Sequence, residues 1–294
     1  MDLPRDIIHY IQLYLFMEDF LGSRLVAKDW ESGKYSMAYT WNHKNREIPL
    51  FIEKVRVGDN IDDNLLRKAV HLRKVALGSS KITDKGIETL VNLDLLSINN
   101  VVTITDGGIR NMKHLQELNV GNCKITDDGI LSFPKLKILS LNNSFITQKT
   151  INKIPTLEEL YLYANTTFAT ISNRNIRILY ISKIKPDISS LNLTELTGYQ
   201  CGIQDSDIQS MINLTKLRII GASLITNQSI SKLTKLKRLE LVISSIDDEV
   251  FENLGELEYL SLCRCENVSD RGIRLLKKLK YLSSTRCPKI TIKI

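Results

Sequence analysis

One pattern constrains this chain more than any other: Leu-x-x-Leu-x-Leu, with Ile or Val allowed, recurs from residue 52 onward. Copies begin at Ile52, Leu72, Leu93, Leu115, Leu136, Leu157, Ile176, Leu193, Leu214, Leu236, Leu257 and Leu279, spaced 17 to 22 residues apart. Self-similarity at such a period is the mark of a repeat architecture. The fourth and sixth positions of each copy are apolar with a period of two, which predicts a short strand with one buried face. The sixth position departs from this at Gly198 and Ser284.

A second signature follows the strand. It reads Ile82-Thr83-Asp84-Lys85-Gly86-Ile87, Ile104-Thr105-Asp106-Gly107-Gly108-Ile109, Ile125-Thr126-Asp127-Asp128-Gly129-Ile130 and Val268-Ser269-Asp270-Arg271-Gly272-Ile273. Thr or Ser before an acidic residue is a helix N-cap signal, and the pairs Ile87/Leu90, Ile230/Leu233 and Ile273/Leu276 then face inward from a turn or two of helix. Each repeat reads as strand, turn, short helix. One such unit cannot bury its own apolar face, whereas stacked units bury a continuous core. The predicted fold class is α/β: about twelve repeats over residues 46–294, with a parallel concave sheet and short convex helices. In this the chain resembles the leucine-rich repeat solenoids. Its Thr-Asp-x-Gly-Ile element and Cys287-Pro288 look most like the cysteine-containing repeats of F-box proteins.

Four of the five cysteines fall eight residues after a repeat start, at Cys123, Cys201, Cys265 and Cys287. Other copies place Asn60, Ser80, Ser144 and Asn165 there. A small polar side chain facing inward at this point satisfies backbone groups left unpaired as the chain leaves the strand. All five thiols are therefore expected free. Cys263, Cys265 and Cys287 lack the paired spacing of zinc ligands, so no metal and no cofactor is expected. Cys263 is read as an outward strand residue.

Composition bounds the function classes. With 43% hydrophobic and 25% charged residues the chain can bury a sizeable core. No run of about 18 uncharged apolar residues occurs, so neither a membrane span nor a signal peptide is expected. Five cysteines, an odd number, suit a reducing compartment and a cytoplasmic location. The formal charge is +7. Residues 1–50 carry six Lys or Arg against seven Asp or Glu, so the other 244 residues hold +8. This reads as dilute, and nucleic acid is not an expected partner.

The first 50 residues are of another kind. Pro4 suits the first turn of a helix, Ile7, Ile8, Ile11 and Leu15 form one helical stripe, and Leu21, Leu25 and Val26 form another, closed by Trp30. The segment from Leu3-Pro4-Arg5-Asp6-Ile7 to Val26-Ala27-Lys28-Asp29-Trp30 resembles an F-box, with Phe20 a departure from the family's Leu. The resemblance implies a small all-α module, residues 1–45 with a connector containing Trp41. It also implies docking on a Skp-family adaptor and through it a cullin. Leu3, Pro4, Ile7, Ile8, Ile11, Leu15, Leu21, Leu25 and Val26 are then the apolar anchors. The plain alternative is a helical cap over the first repeat.

On the sheet, the third, fifth and seventh residues of each copy should point away from the core. The fifth-position column holds Tyr161, Tyr180 and Arg218, and its neighbours include Tyr163, Tyr199 and Arg238. Tyr and Arg dominate protein interfaces because they bury large area while keeping a polar tip. These six residues form the candidate substrate site, expected to take an acidic or phosphorylated segment. The irregular repeats, with Thr166 to Arg174 replacing the helix, mark a second region of interest. No Walker, zincin or hydrolase motif is present, and His9, His43, His71 and His114 are scattered. The sequence thus reads as a non-catalytic adaptor that presents a protein for ubiquitination. Its alternative is a plain leucine-rich repeat interaction scaffold or inhibitor.

Overall fold

The computed structural model describes residues 54–57, 62–78, 81–163, 168–221 and 224–294. The F-box-like segment, Trp41, Asn60, Ser80 and Asn165 lie outside the described residues. Two compact units divide between Leu136 and Lys137.

In the first unit, β1 (Lys54–Val57), β2 (Lys74–Gly78), β3 (Leu95–Asn99) and β4 (Glu117–Gly121) pair in parallel and in chain order. Behind them lie the one-turn helices α1 (Asp63–Leu66), α2 (Asp84–Ile87), α3 (Asp106–Ile109) and α4 (Asp127–Ile130). The second unit carries β5 (Ile138–Asn142), β6 (Glu159–Leu162), β7 (Ile178–Ser182), β8 (Glu195–Tyr199), β9 (Lys216–Ile220), β10 (Arg238–Val242), β11 (Tyr259–Cys263) and β12 (Tyr281–Thr285). These too pair in parallel and in chain order. Their helices are α5 (Gln148–Ile151), α6 (Asp205–Ile208), α7 (Asn227–Ile230) and α8 (Asp270–Ile273), with a 3-10 helix at Asp248–Asn253. Every predicted repeat start is followed by its strand. The registers join like positions, Leu96 to Leu118 in one unit and Leu239 to Leu260 in the other.

The core is the inward apolar column. Leu96, Leu118, Leu139, Leu179 and Leu239 are fully buried, as are the helix-side Ile87, Ile109, Ile130 and Ile230. Among the described residues, the two shortest repeats, those starting at Leu157 and Ile176, carry no helix. Thr170 bridges Asp187, and the buried Asn173 donates to the carbonyls of Ile151 and Ile154 at 2.8 Å each. The irregular segment from Phe168 to Arg174 is thus bonded down onto the preceding repeat.

Two ladders fasten repeat to repeat. In the first, the aspartate at the first helical position accepts both the backbone N–H and the hydroxyl of the next repeat's N-cap residue. Asp84 takes Thr105 at 2.8 and 2.6 Å, Asp205 takes Thr226 at 2.9 and 2.6 Å, and Asp248 takes Ser269 at 2.7 and 2.5 Å. The glycine just before the inward Ile of the helix leaves space for that carboxylate: a Cβ on Gly108 would meet Asp84 Oδ1 at 2.6 Å. The Thr-Asp signal marks a helix start as expected, yet its aspartate mainly serves the repeat that follows. In the second ladder, the residue just after the strand turns left-handed. Its N–H reaches the next repeat, as from Asn100 to Gly121 O (2.9 Å) or from Arg264 to Thr285 O (2.9 Å).

Candidate interaction surface

The second unit's sheet face carries all six candidate residues. β6 to β9 hold Tyr161, Tyr180, Thr197 and Arg218 opposite one another in a single row, as position counting predicts. A second row runs Glu159, Ile178, Glu195, Lys216, Arg238, Tyr259, Tyr281. Rows in register place side chains roughly 5 Å apart, so neighbours along a row touch.

The tyrosines form one aromatic group. The Tyr161 and Tyr180 rings lie 6.3 Å apart and nearly parallel, and Tyr163 tilts against Tyr180 at 5.0 Å. Farther along, the Arg238 guanidinium sits 3.9 Å over the Tyr259 ring, which stacks on Tyr281 at 4.3 Å. Burial raises the Tyr161 and Tyr163 phenols well above their ordinary range, with the Glu159 carboxylate adding to the rise at Tyr161, and it raises Tyr180 as well. These hydroxyls are neutral at physiological pH and offer both a donor and an acceptor.

Three expectations need correction. Tyr161 does not stand out into solvent: it is 6% exposed, and its hydroxyl donates to Glu159 Oε2 at 2.9 Å. The fifth position is likewise buried at Ser97, Asn119 and Ser140. Second, the arginines are not open cations. Arg218 Nε lies 2.9 Å from Glu240 Oε2 as an ion pair without hydrogen-bond alignment, and Arg238 Nε donates to Glu240 Oε1 at 2.6 Å. Lys216 meets Glu195 at 2.7 Å. Third, these pairs offset the face's positive charge, so the ground for expecting an acidic partner at this surface is gone. Tyr163, Tyr180, Tyr199, Arg218 and Arg238 remain half-exposed.

The cysteines sit where position counting put them. Cys123, Cys201, Cys265 and Cys287 are buried, and the Cys265 and Cys287 thiols contact the carbonyls of Cys263 and Thr285 at 3.8 and 3.5 Å. Burial raises the Cys123 and Cys201 thiols and pushes Cys265 up to about 11, so these three are protonated and poor nucleophiles at neutral pH. Among the described residues no group of three or more His, Cys, Asp or Glu could hold a metal ion. No helix among them is long and apolar enough to cross a membrane. What the face supplies is aromatic area, phenolic hydrogen bonding and paired charge, which is the chemistry of recognition.

Sequence reasoning missed the left-handed residue after β3, β4, β5 and β7 to β12 and the aspartate ladder. Asn100, Asn122 and Asn143, one per repeat at the same position, were the available signal for the first.

Parallel strands in register, one per repeat of about twenty residues, define a leucine-rich repeat solenoid. Residues 68–91 and 111–133 match the family model described as Leucine Rich repeat. A leucine-rich repeat protein of Leptospira interrogans is similar in structure with a TM-score of 0.61 and 22% identity, over 91% of this chain and 76% of that one. An internalin of Listeria monocytogenes gives 0.46 and 23%, over 77% and 84% respectively. The Drosophila Toll–Spatzle complex gives 0.48 and 14%, over 79% of this chain and 42% of that one. No curated protein sequence matches the chain.

Proposed function

We propose that the chain is a protein-interaction scaffold and that the sheet face of its second unit is the binding surface. The observation that carries this reading is the tyrosine group Tyr161, Tyr163 and Tyr180, continued by Tyr199 and by the Arg238, Tyr259 and Tyr281 stack, on a rigid sheet. Aromatic side chains held in place by stacking bind at low conformational-entropy cost. The test is a photo-reactive benzophenone residue installed in cells at Tyr199, with exposed Leu131 as a control site. A discrete protein adduct from position 199 and none from 131 supports the reading. Equal adducts from both sites contradict it.

A finer reading rests on residues 3–30. We infer from their F-box resemblance that residues 1–45 are a module that docks a Skp-family adaptor, and through it a cullin, in the cytosol. The scaffold would then hold a substrate for ubiquitination. Leu3, Pro4, Ile7, Ile8, Ile11, Leu15, Leu21, Leu25 and Val26 are its proposed anchors. Pull-down of a purified Skp adaptor tests this: binding lost at least tenfold in Leu3→Ala/Pro4→Ala supports it. No binding by the wild type leaves the plain scaffold.

A further inference from the structure

On the sheet face of the second unit, charge is confined to two of the three outward positions. Across β6 to β10 the third and fifth positions hold three carboxylates, Glu159, Glu195 and Glu240, and three cations, Lys216, Arg218 and Arg238. All six are engaged within the face: Glu159 accepts from Tyr161, Glu195 pairs with Lys216, and Glu240 pairs with both arginines. The seventh position carries no charge. It runs Tyr163, the residue after β6, then Ser182, Tyr199, Ile220 and Val242. Ser182 is buried and the other four are half-exposed. An uncharged track thus crosses five strands beside a set of closed ion pairs.

The spacing along that track selects a backbone conformation. Tyr163 and Tyr199 stand two strands apart, with the small Ser182 between them and the Tyr180 ring beside it, 5.0 Å from Tyr163. Two strand spacings are roughly 9.6 Å. A polyproline II helix turns every three residues at about 3.1 Å each, roughly 9.3 Å per turn, so residues three apart keep step with the two tyrosines. A β segment repeats a face every ~6.7 Å and does not. Hydrogen bonding excludes the α-helix. The Tyr199 hydroxyl makes no hydrogen bond among the described residues and offers a donor, while the carboxylates that would receive peptide N–H groups are taken. The face therefore favours a segment with open carbonyls and few N–H groups. Polyproline II leaves its carbonyls unbonded and proline has no N–H, whereas an α-helix has consumed its interior carbonyls.

We propose that the partner segment on this face is an uncharged, proline-rich stretch bound as a polyproline II helix along the seventh-position track. Prolines three residues apart lie against Tyr163 and Tyr199, and a carbonyl of the segment accepts from the Tyr199 hydroxyl. The track from Tyr163 to Val242 spans roughly 19 Å, enough for about seven residues in this conformation. Charge complementarity is that of a neutral ligand for a face whose ions are already paired. The proposal rests on the reading of this face as the binding surface and adds the class of partner.

The test uses the whole chain and a fluorescein-labelled, blocked twelve-residue peptide repeating Ala-Pro-Pro, read by fluorescence anisotropy. Saturable binding is expected. It should weaken at least tenfold for Tyr199→Ala and for an Ala-Gly-Gly peptide of the same length, which lacks the preformed helix. Leu131→Ala, at an exposed position away from the face, should leave it unchanged. Circular dichroism checks that the variants are folded; if Tyr199→Ala is not, Tyr199→Phe serves, with binding weakened roughly fivefold by loss of one hydrogen bond. Absent saturation, equal binding of the glycine peptide, or indifference to the Tyr199 substitutions overturns the proposal. Tighter binding at Tyr199 by an uncharged amphipathic helix or by an alternating Val-Thr peptide overturns it in favour of that conformation. The benzophenone residue at position 199 separates the two readings. A discrete protein adduct there alongside failure of the proline peptide overturns the partner class and leaves the face standing, whereas failure of both removes the face as well.

Discussion

Ile243 occupies the left-handed turn position after β10 with φ of +59°, where other repeats place Asn, Gly or a long unbranched Lys, Gln or Arg. A β-branched side chain there is strained, and left-handed backbone costs an ordinary residue roughly 1–2 kcal/mol. Ile243→Asn keeps the N–H that donates to Cys263 O at 2.8 Å and removes only a half-exposed apolar side chain. It should raise stability by about 1 kcal/mol, read as a higher urea midpoint at unchanged slope. Tyr161 behaves oppositely. Its buried ring and its bond to Glu159 predict that Tyr161→Phe costs about 1 kcal/mol and Tyr161→Ala about 3, measured by the same denaturation. The row to which Tyr161 belongs was legible in the sequence because strand position follows from counting. Its burial was not, since that depends on the lengths of side chains contributed by neighbouring strands. The cysteine positions were legible for the same reason as the row: each lies a fixed distance from a repeat start.

At the scale of the element, strands declared themselves through period-two apolar pairs, and helices through Thr-Asp before an inward Ile. The ladder that binds these helices escaped the sequence because it joins residues 20 to 22 apart, and nothing local distinguishes a capping aspartate from one serving the next repeat. Asp84→Ala should cost about 2 kcal/mol by removing two carboxylate hydrogen bonds. Gly108→Ala should be comparably destabilising because its Cβ displaces the same carboxylate, and both are checked by thermal unfolding. The ladder also gives a pH dependence. Burial alone would raise the Asp205 carboxyl, but hydrogen bonds from Ser229 and Thr226 outweigh it and hold the group below the usual carboxylate range. Asp270 is lowered by Thr291 and Ile292. A carboxyl lowered by folding contributes stability that is complete above its unfolded value, about 3.9, and is lost as pH falls through the folded value. The unfolding temperature should therefore be steady near neutral pH and drop below about pH 4. Asp205→Asn should reduce that drop.

For the molecule as a whole, stacking and recognition draw on different faces of the same strand. Inward Leu and Ile columns build each unit, while outward residues pair along rows, Glu195 with Lys216 and Arg238 with Tyr259, and so hold the surface stiff without consuming all of it. The fold was legible early because repetition multiplies a weak local signal. The binding face was legible only in outline: residue types and rows could be counted, but the Glu240 bridge that holds both arginines appeared only once β9 and β10 lay side by side.

The central claim is that the tyrosine face of the second unit captures a protein. Proximity labelling in cells, comparing wild type with Tyr180→Ala/Tyr199→Ala/Arg238→Ala, tests it most directly. Tyr161 is left intact because its ring is buried and its loss would lower stability, and the three chosen side chains are half-exposed. The account predicts that the main labelled partner falls at least tenfold while the thermal midpoint of the purified variant stays within a few degrees of wild type. An unchanged set of labelled proteins from a folded variant would contradict it.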